Sequence, residues 1–136
     1  MLTHTPLETE LAGLLTDTHS PHAGALTVFG GTVRLDDGVQ AITYTAYEAM
    51  AQAVLDDITA QTLALDGVCS CKMVHRLGTV TLGELSVLVV IRAAHRDQAF
   101  TAARFAIDTL KARTPIWKEE ALTESTRFVE GQSLVA

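Results

Sequence analysis

Apolar residues recur along this chain with two different periods, and the places where the period changes divide it into elements. Residues 1–22 are mostly polar, with Pro6, Pro21 and one weak helical stretch over 7–15. Small and β-branched residues over 23–33 predict a strand that breaks at Gly30-Gly31. The Asp-Gly pair in Leu35-Asp36-Asp37-Gly38 predicts a hairpin turn, with 41–47 as the returning strand. There Ile42, Tyr44 and Ala46 alternate with Thr43, Thr45 and Tyr47, which marks one buried face.

From 48 to 65 the spacing becomes helical: Met50, Val54 and Ile58 recur every fourth residue with Ala51 and Leu55 beside them, up to Asp66-Gly67. Residues 68–76 read as a strand, and 77–84 as a loop or short strand punctuated by Gly78 and Gly83. The run 85–94 is nearly all apolar and predicts a central strand. A second helix from Arg96 to Leu110 or Lys111 presents Phe100, Ala103, Ile107 and Leu110 as its apolar stripe, and Pro115 stops it. Short strands are expected at 116–119 and 127–130. Strands combined with two long helices make the fold class α+β, as one domain over 23–136 behind a lead-in of 1–22.

Composition narrows the function. The chain has 136 residues, 48% apolar and 19% charged, enough for a core without a disulfide or metal staple. The longest apolar stretch, 85–91, is far too short for a bilayer, and the N-terminus lacks the basic start of a signal peptide. A soluble, cytoplasmic protein that binds neither membrane nor nucleic acid is expected, since ten Lys and Arg against sixteen Asp and Glu give a net charge of −6. Six of those ten cations nevertheless fall within 92–118 (Arg92, Arg96, Arg104, Lys111, Arg113 and Lys118), against Asp97 and Asp108 alone. Local positive charge on a negative body suits a small anion, although charges on a solvated helix face would look the same. Cys69 and Cys71 are not expected to bridge each other or to bind zinc.

Three blocks carry candidate chemistry. Gly30-Gly31-Thr32-Val33-Arg34 ends a strand with residues that let backbone approach a ligand and an arginine that can fork onto an anion; a β-bulge with a surface arginine is the plainer reading. His95-Arg96 lies where the central strand hands over to the second helix, a favoured place for anions and equally for a capping histidine. Lys111-Ala112-Arg113-Thr114-Pro115-Ile116-Trp117-Lys118 places two lysines about a proline. A lysine in a last helical turn ordinarily complements the dipole. Two folded toward one pocket would instead lower each other's pKa and free an amine for proton transfer.

Taken in order, these blocks resemble the molybdopterin synthase large catalytic subunit family. The matching pieces are Gly24-Ala25 through Phe29, Gly31, Val33 and Arg34; Tyr47-Glu48-x-Met50; Val74-His75-Arg76-x-Gly78 with Gly83-Glu84; Ala94-His95-Arg96 with Phe100; and Leu110-Lys111-x-Arg113-x-Pro115-x-Trp117-Lys118-x-Glu120. The resemblance implies an α/β-hammerhead-like fold and a sulfurtransferase of molybdenum cofactor biosynthesis. Such an enzyme converts a cyclic pyranopterin monophosphate to molybdopterin, with sulfur from the Gly-Gly thiocarboxylate tail of a small ubiquitin-like subunit. It also implies a homodimer within a heterotetramer and no metal or other cofactor.

By the same resemblance Lys111 and Lys118 are the catalytic lysines. Lys111 meets the tail and moves protons, while Lys118 does electrostatic and acid–base work. Arg34, His95 and Arg96 hold phosphate and pterin, with Thr32, Val33, Glu119 and Glu120 as further substrate contacts. Both lysines are expected to be reachable by solvent. The loop after Arg34 is shorter than in much of the family, and Glu119 stands where a basic residue is common. The competing class is a non-catalytic scaffold for a ubiquitin-like tail or a small phosphate ligand. Retention of Lys111, Lys118 and Arg34 together favours the enzyme.

Overall fold

The computed structural model describes residues 1–122 and 126–129. In chain order the elements are β1 (Leu2–Thr3), a 3-10 turn (Leu7–Thr9), α1 (Leu11–Asp17), β2 (Ala25–Thr32), β3 (Val39–Ala46) and α2 (Glu48–Leu63). There follow β4 (Val68–Arg76), β5 (Gly78–Thr81), β6 (Leu85–Ala93), α3 (Arg96–Arg113), β7 (Ile116–Leu122) and β8 (Thr126–Val129). The strands form two four-stranded sheets. One is mixed, in the order β1-β4-β6-β2 with β1 parallel to β4; the other is antiparallel, in the order β5-β3-β7-β8. The class is α+β, as the pattern implies. Among the described residues no helix is long and apolar enough to cross a membrane.

Strand β6 is apolar along its length because both of its faces are covered. Val87, Val89 and Ile91 point into the main core with α2 and α3, while Leu88 and Val90 point the other way onto Leu7, Leu14 and Val74. The polar start of the chain thus contributes a second small core, with Leu7 fully buried. Arg92 fastens it by donating to the Leu15 carbonyl at 2.9 Å.

The turn after Arg34 forms, yet it closes no hairpin. The Val39 N–H bonds the Asp36 carbonyl at 3.0 Å, and Asp37 and Gly38 take left-handed φ values of 52° and 79°. That is the tight turn Asp-Gly favours. Its flanking strands nevertheless part, because β2 pairs with β6 from Ala25↔Ala93 to Thr32↔Leu85 while β3 pairs with β5 and β7. A local turn sets direction; the long apolar β6 decides the partner. Nor does β2 break at Gly30-Gly31: it runs on to Thr32, with a register shift between Gly31 and Thr32.

Two stripe assignments also change. Met50 is 58% exposed and Phe100 63%, and the buried lines are Ala51-Leu55-Ile58-Thr62 on α2 and Ala99-Ala102-Ala106-Leu110 on α3, where Ile107 and Leu110 of the expected stripe are buried. Small residues win on α3 because the helix lies close on β2 and β6, where a phenylalanine would hold it off. Cys69 and Cys71 are both free.

The N-terminal packing has a measurable consequence. Leu7→Ala should lower the unfolding free energy by about 2–5 kcal/mol, the usual cost of emptying a buried leucine site. Urea unfolding checks it. A change below about 0.5 kcal/mol would show that residues 7–14 contribute no core.

Candidate active site

Two glycine-lined junctions and one helix position the residues in question. At one end of α3, His95 is the N-cap, its N–H held by the Gln98 side chain at 3.1 Å, and Gln98 in turn donates to Asp66. Gly24 closes against this turn: its N–H bonds the Ala94 carbonyl at 3.2 Å, and a Cβ there would come within 2.7 Å of that oxygen. His95 and Arg96 are exposed and line an open pocket with Gly24, Ala94 and Asp97.

At the other end of α3, Lys111 is half-buried in a groove of about 510 Å³ with Phe29, Phe100, Arg104 and Ile107. Phe29 belongs to the face of β2 that turns toward α3, where the Thr27 hydroxyl reaches the Ala99 carbonyl. Gly31 lies two residues farther along that face and is buried. Beyond the bulge Thr32 is exposed, Val33 is buried, and Arg34 is exposed and paired with Asp36 at 3.3 Å. So loose a surface pair leaves the guanidinium free to exchange its partner for another anion.

After α3 the chain turns through buried Thr114 and Pro115 into β7. Period-two alternation then sends Ile116, Lys118 and Glu120 inward and Trp117 and Glu119 outward. Lys118 is only 1% exposed, against the expectation of a solvent-reachable amine, because its strand faces the core rather than a cleft. Glu119 is exposed on the opposite face, so the three consecutive residues 118–120 do not share one surface. Trp117 instead packs edge-on against Tyr47, ring centres 5.3 Å apart.

The structure therefore gathers some of the named residues and separates others. Lys111 and Lys118 flank one short turn. His95 and Arg96 lie at the far end of α3, about 24 Å along its axis from Lys111 at 1.5 Å per residue, too far to hold a single phosphate together. The positive segment also divides by role. Arg92 fastens the N-terminal turn, and Arg113 ties α3 to α2 through Asp57 at 2.8 Å.

Three residues to which the sequence assigned no role at the site, His75 of a matching motif among them, gather here. Around Lys118 and Glu120 the interior holds Tyr44, His75 and Ser86, 2%, 1% and 1% exposed. Tyr44 is set opposite Lys118 in the β3–β7 ladder, and its ring meets His75 edge-on at 4.9 Å. Ser86 donates to the Gly31 carbonyl at 3.3 Å and lies beside the Tyr44 hydroxyl. Burial raises the Tyr44 pKa, opposed by the Ser86 hydroxyl and reinforced by nearby Glu120. Burial likewise pushes His75 down to about 4, so it is neutral, with Nδ1–H donating to the Arg76 carbonyl at 2.7 Å. The legible signal was Ser86, a hydroxyl inside an otherwise apolar strand. Among the described residues no group of His, Cys, Asp and Glu is arranged to hold a metal.

Residues 2–113 match the family model described as MoaE protein. The chain belongs to the MoaE protein family. The matched span contains Arg34, His95, Arg96 and Lys111, and ends before β7. Over 112 residues the chain is 41% identical to the molybdopterin synthase catalytic subunit of Thermoplasma volcanium, covering 80% of this chain and 82% of that one. Its fold superposes on molybdopterin synthase from Staphylococcus aureus with a TM-score of 0.84 at 30% identity, covering 94% of each chain. It also resembles, with a TM-score of 0.78 at 26% identity over 95% of this chain and 87% of the other, a chain of the complex of subunits 1 and 2 of molybdopterin-converting factor from Helicobacter pylori. Family and fold together make this MoaE chain an enzyme of molybdopterin synthesis.

The buried histidine yields a pH test. Because His75 titrates near 4 when folded and near 6.5 when unfolded, only the unfolded chain takes up that proton as pH falls from 6.5 toward 4. Stability is complete above that window and is lost on the acid side. Between pH 7 and 5 the loss from this group should be about 2 kcal/mol. His75→Phe should flatten the slope in denaturant titrations; an unchanged slope would mean that His75 does not titrate as described.

Proposed function

We propose that the chain transfers sulfur to a cyclic pyranopterin monophosphate from the thiocarboxylated Gly-Gly tail of a small ubiquitin-like subunit, in the cytoplasm, and that Lys111 and Lys118 serve this chemistry in different ways. The observation that carries it is the placement of the two lysines about the Thr114-Pro115 turn, one in an open groove and one in the interior. A cyclic phosphate and a thiocarboxylate repel each other, and fixed cations offset that repulsion as they meet. Lys111, with its groove open to solvent, receives the tail and exchanges protons. Lys118 acts as a fixed charge in low dielectric, where a cation counts for more than at the surface. Arg34 clamps the phosphate with its fork, and Thr32, Val33 and Glu120 shape the adjoining wall. Glu119, on the opposite face of β7, meets substrate only from that side. The Helicobacter pylori complex of two subunits supports a partner of this kind.

The separation of His95-Arg96 from Lys111 supports a homodimer, in which a second copy brings its His95 and Arg96 to the site. Apolar surface for such pairing exists: edge strand β2 exposes Leu26 (42%) and Val28 (43%). With one small subunit on each copy the assembly is a heterotetramer.

Turnover with the thiocarboxylated subunit tests the reading. Lys111→Ala and Lys118→Met should each lower turnover at least about tenfold, the modest end of what such a group supplies. Arg34→Ala should mainly raise KM, because a phosphate clamp binds ground and transition states alike. Removing the last two residues of the small subunit should abolish turnover. Lys111→Ala should leave stability within about 0.5 kcal/mol, as at an exposed site. The deciding comparison is Arg104→Ala, a cation of the same groove: losses equal to those of Lys111→Ala would mean that general positive charge carries the activity.

The assembly has its own check. Sedimentation at micromolar concentration should show a dimer, and Val28→Lys should shift it toward monomer. A monomeric wild type would overturn the shared site.

A further inference from the structure

Buried polar side chains are costly unless each has a task, and a phenylalanine at position 44 would fill the core as well as a tyrosine does. The Tyr44 hydroxyl is nonetheless kept, and it is kept in company. Ser86 stands beside it on β6 and donates to the Gly31 carbonyl at 3.3 Å, so the hydroxyl lies next to a contact that reaches the bulge of β2. His75, from β4, sets its ring edge against the Tyr44 ring at 74° and restricts it. From β7, Lys118 lies directly opposite, and Glu120 two residues along the same inward face. Directly opposed residues hold their Cβ atoms about 5 Å apart, so the lysine stem and the phenol run side by side.

We propose that Tyr44 is a positioning residue for Lys118: its phenol, fixed by Ser86 and His75, holds the lysine stem in a single orientation beneath the Gly31–Thr32 bulge. The inference rests on the reading of Lys118 as a fixed catalytic charge. Its physical content is that a charge acting through a low-dielectric layer works only from one place, and displacing such a group by an ångström costs rate rather than binding. Tyr44 itself touches no reacting atom. Among the described side chains the titratable and polar groups facing it are His75, Ser86, Lys118 and Glu120, and of these only Lys118 carries the charge that the proposed chemistry uses.

The test is a double-mutant cycle of turnover with the thiocarboxylated small subunit and the cyclic pterin, using Tyr44→Phe, Lys118→Met and the pair. Tyr44→Phe should lower kcat about tenfold with KM near wild type and shift the pH profile of kcat, while the melting temperature stays close. In the Lys118→Met background the second change should cost nothing further. Ser86→Ala, which releases the phenol while leaving Tyr44 in place, should reproduce part of the loss. If Lys118→Met leaves turnover unchanged, the proposed role of Lys118 falls and this inference with it. If Lys118→Met loses turnover but Tyr44→Phe and Ser86→Ala do not, this inference alone is overturned. Full additivity of the two changes would also overturn it, because Tyr44 would then act independently of the lysine.

Discussion

Because β7 runs antiparallel to β3 with Lys118 opposite Tyr44, a lysine and a glutamate two residues apart are both carried to the side of the sheet that closes on the core. Packing alone does not favour this. Apolar side chains of similar volume would fill the space with less desolvation. Under the proposed function, what the register secures is fixed charge in a layer of low dielectric, where a cation acts on a neighbouring anion more strongly than at the surface. The other parts of the site follow from that placement. Pro115 ends α3 so that β7 can begin at once, and the Gly31 carbonyl at the bulge of β2 accepts from the buried Ser86 hydroxyl.

Helix α3 then sets the scale. With 18 residues it keeps the cationic groups at its two ends apart, His95 and Arg96 at the start and Lys111 near the close. A single small ligand touching both ends is physically awkward, whereas two copies sharing their ends resolve the geometry without altering the fold. The net charge of −6 does not work against this. Arg92 is committed to an internal bond and Arg113 to a surface pair with Asp57, and Arg34, Arg96, Arg104 and Lys111 are positive groups left near the surface along α3 and the strand beside it. Screening confines their influence to about 10 Å, so a local cluster is felt by a docking anion while the acids elsewhere on the body are not.

The secondary structure was legible where one physical signal dominated. Strand β4 and the start of β6 fall where the pattern placed them, because glycines at 67, 78 and 83 mark the ends of these segments and β6 is a nearly continuous apolar run. The partner of β2 was not legible: Asp37-Gly38 specifies a turn locally, but pairing depends on a strand some fifty residues away. Phe100 was misplaced because spacing on a helix defines a stripe about 100° wide and does not say which edge of it touches the sheet. The contribution of Leu7 and Leu14 was hidden by the polar residues around them. In the candidate site, motif order brought Lys111 and Lys118 to notice but treated neighbours in sequence as neighbours in space. Strand alternation separates Glu119 from Glu120, and helix length separates His95 from Lys111.

Exposure finally distinguishes the two lysines more sharply than their identical chemistry would. The Lys111 amine is half-buried beside an open groove, within reach of water and of a docking ligand. An amine that is 1% exposed has no such access at hand, and moving its proton would require neighbouring polar groups to reorganise in a packed interior. In the proposed chemistry, proton traffic is therefore assigned to Lys111 and the fixed charge to Lys118. On the same proposal their tolerance differs: the groove lysine answers mainly to its terminal amine, whereas the interior lysine answers also to the groups that fix its stem, Tyr44 among them. A substitution that leaves the charge of Lys118 intact but frees its stem should therefore be felt in rate well before it is felt in stability.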